Sequence, residues 1–290
     1  MRKKNPKLLI VYKKSSYQEH VLDEKDAHYL RLLREGNRVV ERSKSTHDVH
    51  MDTFRTVRGQ LMSLGITFDV RLRTHLKPIR GYDLTLTIGG DGTFLETSHY
   101  LEDGCILGIN SVPDESIGYY CHSTAENFLE KIYQFMEGRS ETRILHRLSM
   151  TVDGVETGPP ALNDILYANQ NPAGTTRYLL SMGGGTEEQK SSGLWISPAP
   201  GSTAATRSAG GKILSLESKQ FQFVVREPYA PPHRKYRFLR RTLSPGQKME
   251  IVSMMDDAAL FVDGPHRIYP VRRGSRIVIR PAKKSVRAIW

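Results

Sequence analysis

Two cysteines in 290 residues, Cys105 and Cys121, are too few for a disulfide framework and lack metal-ligand spacing. They read as core thiols. Long apolar runs are also missing. The basic start Arg2-Lys3-Lys4 precedes only the short run from Leu8 to Tyr12, so neither a membrane span nor a secretory signal is expected and the chain reads as cytoplasmic. Acidic residues are in deficit, 31 against 42 lysines and arginines, leaving a net charge of +11. The excess gathers at 233–241 and 272–287 without any recognised nucleic-acid motif, so small polyanions or a plain solvated surface are favoured over nucleic acid. With 38% hydrophobic and 25% charged residues the chain is globular, and its length leaves room for two cores.

The texture changes once. Up to about residue 138 short apolar strands (8–12, 66–73, 84–88, 105–109) alternate with helices. An amphipathic stretch at 17–34 and a charged connection lead to a helix with Val49, Phe54, Val57, Leu61 and Leu64 on one face, ended by Gly65. Helices at 93–101 and 124–136 follow. This pattern predicts a parallel, Rossmann-like sheet covered on both faces, with ligands at the carboxyl ends of its strands. Beyond Gly138 strands follow one another at 144–152, 165–169, 178–182, 193–197, 221–226, 249–254, 259–262 and 277–279, while the polar, glycine-rich segment 183–192 reads as a loop. The expected architecture is an α/β amino-terminal domain (1–140) and an all-β, sandwich-like carboxyl-terminal domain (141–290), whose last strand either stays there or returns to the first domain.

Three segments carry chemistry. Leu84-Thr-Leu-Thr-Ile-Gly-Gly-Asp-Gly-Thr93 runs a strand into Gly89, Gly90 and Gly92, whose missing Cβ atoms let backbone N–H groups approach a phosphate. Asp91 is out of place there. A carboxylate repels phosphate unless it orients a hydroxyl or a metal ion, the other reading being a cap on the helix that follows. Pro198-Ala-Pro-Gly-Ser-Thr-Ala-Ala205, continuing through Ser208, is either a second nucleotide cradle or a tight, capped loop. Asn163-Asp164 heads an apolar strand and offers an amide and a carboxylate to a vicinal diol, or else forms a polar strand-entry turn.

In this order and spacing the three segments, from about Leu84 to Asp263-Gly264, resemble the NAD kinase family, with its GGDGT loop, Asn-Glu pair and T-P-T-G-S-T-A-Y segment. The resemblance implies transfer of the γ-phosphate of ATP, or of polyphosphate, to the 2′-hydroxyl of the adenosine ribose of NAD or NADH, with Mg²⁺ on the ATP phosphates and no dedicated metal residue. It implies Asp91 as catalytic base and Gly89, Gly90, Gly92 and Thr93 as the phosphate loop. Asn163, Asp164, Ser192, Gly201, Ser202, Thr203, Ala204, Ala205 and Ser208 would form the dinucleotide site. A homodimer or homotetramer acting on small nucleotides, with no nucleic acid or membrane partner, is expected. Asp164, Ala205 and Ser192 stand where the family usually has Glu, Tyr and Asp, and these departures look like the divergent branch that includes plant-type NADH kinases. A diacylglycerol- or sphingosine-type lipid kinase shares the first motif, and a silent dinucleotide sensor is the non-enzyme alternative.

Overall fold

The computed structural model describes residues 5–233 and 235–290; the basic start at residues 2–4, and Arg234 of the basic cluster, lie outside the described residues. The chain divides into two compact units, Met1–Arg143 with Arg287–Trp290, and Ile144–Val286.

In the first unit the strands β1 (Leu8–Tyr12), β2 (Phe68–Leu72), β3 (Leu84–Gly89) and β4 (Cys105–Asn110) lie in the order β2-β1-β3-β4, each neighbouring pair parallel. Every residue of β3 and β4 is buried, as befits strands covered on both faces. The helices are α1 (Ala27–Arg34), α2 (Arg38–Ser63), α3 (Asp91–Tyr100) and α4 (Phe128–Met136). Phe54, Val57 and Leu61 of α2 and Phe128 and Ile132 of α4 join Leu8, Ile10, Leu86 and Ile109 in one core, each side chain contributing about 1.5–3 kcal/mol through burial. Gly65, at φ 67, ends α2 as a left-handed cap.

The stretch 17–34 is not one helix. A π-helical turn, Gln18–Asp23, stops at Lys25, which takes φ 53, and Asp26 restarts the chain by accepting the N–H groups of His28 and Tyr29. The charged connection is mostly helix, because Asn37 caps α2 through the Val39 N–H, and Val49 is 44% exposed rather than on the buried face.

β5 (Thr142–Leu145) leads into the second unit, which holds β6 (Leu148–Val152), β7 (Val155–Glu156), β8 (Ile165–Asn169), β9 (Thr176–Met182), β10 (Gly185–Ser191), β11 (Gly193–Pro198), α5 (Ala205–Ser208), β12 (Phe221–Arg226), β13 (Arg240–Leu243), β14 (Met249–Ser253), β15 (Ala258–Val262), β16 (Ile268–Val271) and β17 (Arg276–Pro281). These strands form two antiparallel sheets, β10-β9-β14-β17-β6-β7 and β13-β12-β11-β8-β15-β16. Inward side chains of both, among them Tyr167, Tyr178, Leu194, Phe223 and Ile279, make a single core. The chain then returns as β18 (Val286–Ile289), parallel to β4 and between β4 and β5 in the first sheet.

The expected strand 144–152 is therefore two strands, broken at His146-Arg147, where Arg147 Nε donates to the Lys284 carbonyl. The expected loop 183–192 is β10. Gly183 and Gly184, both at positive φ, make a two-residue hairpin turn that pairs Met182 with Gly185. Composition hides this strand because its inward residues are polar and satisfied. Gln189 meets the Tyr178 hydroxyl, and the Glu187 carboxylate accepts the Arg237 and Phe238 N–H groups. Among the described residues no helix is long and apolar enough to cross a membrane.

Candidate active-site residues

In the first unit the glycine loop leaves the carboxyl end of β3, with Gly89 paired to Asn110 at the end of β4. A Cβ on Gly89 would stand 2.3 Å from Thr93 Oγ1, so only glycine lets the turn close over the helix start. Thr93 itself is buried, its hydroxyl in the interior and its N–H on the Gly90 carbonyl. Its side chain fills the space under Gly89. Gly90 is the N-cap of α3, and the N–H groups of Asp91 and Gly92 have no partner within the helix.

Asp91 does not cap its own helix. Its Oδ2 accepts the Tyr119 N–H at 3.0 Å and its Oδ1 the Tyr120 N–H at 2.7 Å. Two of roughly four lone-pair positions are thus filled and two are left for a ligand proton. Among the described residues no cation pairs with this carboxylate. The segment presenting the two amides is shaped by Asn110, whose side chain holds the Val112 N–H, the Ser116 hydroxyl and the Ser116 carbonyl. Gly118, at φ 59, lies so close to the Asn110 amide that a Cβ would meet Nδ2 at 2.5 Å. Burial, and then the Asp91 charge, push the Cys121 thiol up to about 12, so it stays protonated beside the carboxylate.

In the second unit Asn163 and Asp164 sit at the head of β8, and Asn163 Nδ2 donates to Asp164 Oδ2 at 2.9 Å. Asp263, itself at φ 50, clamps the turn. Its carboxylate accepts the N–H groups of Leu162, Asn163 and Asp164, while its own N–H donates to the Asp164 carbonyl. Gly201 is brought against the same turn: a Cβ there would stand 1.6 Å from the Asn163 carbonyl oxygen. Two of the sequence segments therefore meet. Ser202 is fully buried, donates to the Ala199 carbonyl and accepts the Leu214 N–H, so its hydroxyl ties the turn together.

Burial first, and then the Asp263 charge, raise the Asp164 carboxyl from 3.8 to about 7, against the lowering effect of the Asn163 hydrogen bond. Raised in the folded state, this group's stabilisation is complete below about pH 4 and is lost as pH climbs through about 7. Asp164→Asn, neutral throughout, removes that dependence. Urea unfolding at pH 5 and pH 8 is expected to show the wild type losing roughly 2–3 kcal/mol relative to the variant. Parallel pH profiles would sink the assignment.

Ala205 and Ser208 of α5 line a cavity of about 410 Å³ with Trp195, Ala209, Val225, Arg226 and Glu227. The Arg226 guanidinium lies over the indole at 5.8 Å, and Glu227 takes the strained φ 34 at the rim. Thr203 closes the 3₁₀ turn Pro200–Thr203, and Ala204 joins that turn to α5. Ser192 is not in this cavity; it lines a neighbouring one of about 350 Å³ with Arg177, Lys190 and Tyr229, and Glu227 borders both. Sequence reasoning missed Asn110, the Tyr119 and Tyr120 amides, and Asp263 as the clamp. The signals available were Asn110 at a strand end, Gly118 nearby, and an Asp-Gly pair directly after a strand.

No family model matches the chain. A protein of Oryza sativa subsp. japonica named "Probable NADH kinase" is 31% identical over 254 residues, covering 80% of this chain and 78% of the relative. The "NADH kinase" of Arabidopsis thaliana is 31% identical over 279 residues, 85% of each chain. Among solved structures, an NAD kinase from Archaeoglobus fulgidus in complex with ATP superposes with a TM-score of 0.65 at 19% identity, over 98% of this chain and 93% of the other. Yeast NADH kinase complexed with NADH gives 0.68 at 16% identity, over 99% and 84%. At these identities the two structures share the fold: an α/β unit followed by a β unit.

Proposed function

The chain belongs to the NAD kinase family, and on that premise we propose that it transfers the γ-phosphate of ATP to the 2′-hydroxyl of the adenosine ribose of NAD or NADH. The observation that carries the reaction is the Asp91 carboxylate, fixed by two backbone N–H groups at the head of α3 and paired with no cation among the described residues. Phosphoryl transfer gains most from alignment and charge neutralisation. Asp91 orients the 2′-hydroxyl and accepts its proton as the new O–P bond forms and the bond from the γ-phosphorus to the bridging oxygen breaks, leaving ADP. Gly89, Gly90 and Gly92 admit backbone N–H groups to the phosphates, and Thr93 holds their turn closed.

In the second unit, Asn163 and Asp164 donate to and accept from a ribose of the dinucleotide, Thr203 and Ala204 border it, and the cavity beside Ala205, Ser208 and Trp195 takes an aromatic ring. Ser192 contributes from the adjoining cavity. Mg²⁺ is carried on the ATP phosphates. That ion neutralises phosphate charge when bound. The parallel pairings support a Rossmann-like reading of a nucleotide domain over 1–140, and the shared core supports a sandwich-like dinucleotide domain over 141–290. A cytoplasmic homodimer or homotetramer completes the proposal.

The test incubates purified protein with ATP, Mg²⁺ and either NAD or NADH, with diacylglycerol and sphingosine as alternative acceptors. NADP or NADPH is the expected product and the lipids are expected to be inert. Lipid phosphorylation with inert dinucleotides would overturn the proposal in favour of a lipid kinase, and dinucleotide binding without turnover in favour of a sensor.

A further inference from the structure

The parallel sheet delivers three different chemistries to one place. Leu72 of β2, Tyr12 of β1 and Ile88 of β3 lie in one register row, with β1 in the middle. One residue further on, Arg73 and Lys13 leave the sheet at its carboxyl end beside Gly89, the last residue of β3. In a parallel sheet this edge is where ligands bind. Arg73 turns toward the glycine loop, its Nη1 lying 3.8 Å from where a Cβ on Gly92 would be. Lys13 is half-buried beside it.

The surroundings leave these two cations uncompensated. Among the described residues neither forms an ion pair, whereas the next lysine, Lys14, is bound to Asp23 at 2.6 Å. Burial first, and then the Arg73 charge, lower the affinity of Lys13 for its proton, with Glu19 the carboxylate opposing this. Holding two cations together at a partly desolvated edge is unfavourable unless an anion joins them. The Lys13 backbone is also anchored. His50, buried on α2, donates through Nε2 to the Lys13 carbonyl at 2.9 Å, which leaves Nδ1 to accept from the Ser111 hydroxyl at 2.8 Å, tying the ends of β1 and β4 together.

We propose that Lys13 and Arg73 are the cationic clamp for the phosphates of the donor, gripping from β1 and β2 the chain of phosphates that the glycine loop of β3 receives. The assignment rests on the phosphoryl-transfer reading and adds to it the charges that the net basicity of the sequence left unlocated. The guanidinium offers a planar fork to two phosphate oxygens and the ammonium a point charge.

The test uses the full chain with Lys13→Met, Arg73→Met, Arg73→Lys and, as a control, Lys14→Met, each checked for native circular dichroism. Calorimetric titration with ATP·Mg²⁺ and with tripolyphosphate is run beside steady-state kinetics. Lys13→Met and Arg73→Met are each expected to weaken both ligands and raise the KM for ATP by roughly 10–100-fold, the range for a charge-assisted contact, while the KM for NAD or NADH moves little. Arg73→Lys recovers part of the loss, and Lys14→Met leaves all constants unchanged. Native-like variants that bind ATP and tripolyphosphate as the wild type does would overturn the clamp. Because phosphate binding is read without turnover, wild-type protein that phosphorylates no dinucleotide would count against the kinase reading and leave the clamp to be decided by the titrations.

Discussion

Replacing Asp91 by asparagine is expected to lower kcat by roughly 10²–10⁴-fold, the range for removal of a general base, with the KM for dinucleotide within a few-fold of wild type. The substitution keeps the shape of the side chain and removes its ability to take a proton. It also turns one acceptor into a donor opposite the Tyr119 or Tyr120 N–H, so one of those two hydrogen bonds is lost. A stability change of about 1–3 kcal/mol should accompany the kinetic defect. The two effects are separable: thermal unfolding reports the lost bond, and single-turnover rates at saturating substrates report the chemistry. Turnover within tenfold of wild type would remove Asp91 as the base and leave it as an anchor for the segment that follows β4.

The second large effect is structural. Gly201→Ala puts a methyl group 1.6 Å from the Asn163 carbonyl oxygen, a backbone atom that has no rotamer to escape into. Overpacking a core typically costs about 1–3 kcal/mol, and a clash of backbone on backbone belongs at or above the top of that range. Gly246→Ala is the matched control, since nothing lies within 4 Å of its added Cβ and its φ is not positive. Urea unfolding should separate the two by several kcal/mol, with Gly201→Ala also losing dinucleotide binding as the Asn163-Asp164 turn shifts. Coincident midpoints would mean that the two segments do not approach as described.

What the sequence disclosed and what it hid divide along physical lines. The β3 strand and glycine loop were legible because alternation and three glycines are local signals, and Gly65 marked the end of α2 for the same reason. The meeting of Gly201 with Asn163 was hidden because it depends on the 37 residues between them folding back, although each segment was visible alone. Ser202 and Thr203 look alike as hydroxyls in a string; only the fold shows that Ser202 is sealed between Ala199 and Leu214. β10 was missed for the opposite reason. Its Glu187, Gln189 and Ser191 look solvated, yet each is buried and hydrogen-bonded. Charge was the least legible feature: of 42 basic residues, only pairing across β2, β1 and β3 distinguishes Lys13 and Arg73.

The return of β18 to a place between β4 and β5 makes the second unit an insertion within the first. A chain emerging in order from a ribosome has completed all twelve strands from β6 to β17 before residues 286–289 exist to finish the first sheet. Until then β4, whose every residue ends up buried, carries an open edge of unpaired N–H and C=O groups. The inserted β unit, closed on its own core, is free to mature first, and the α/β host must wait for a distant segment whose capture carries the entropy of a long loop. Birth order and completion order are therefore reversed: the first domain to be made is the last to be finished, and the interval between the two is its period of greatest exposure to aggregation.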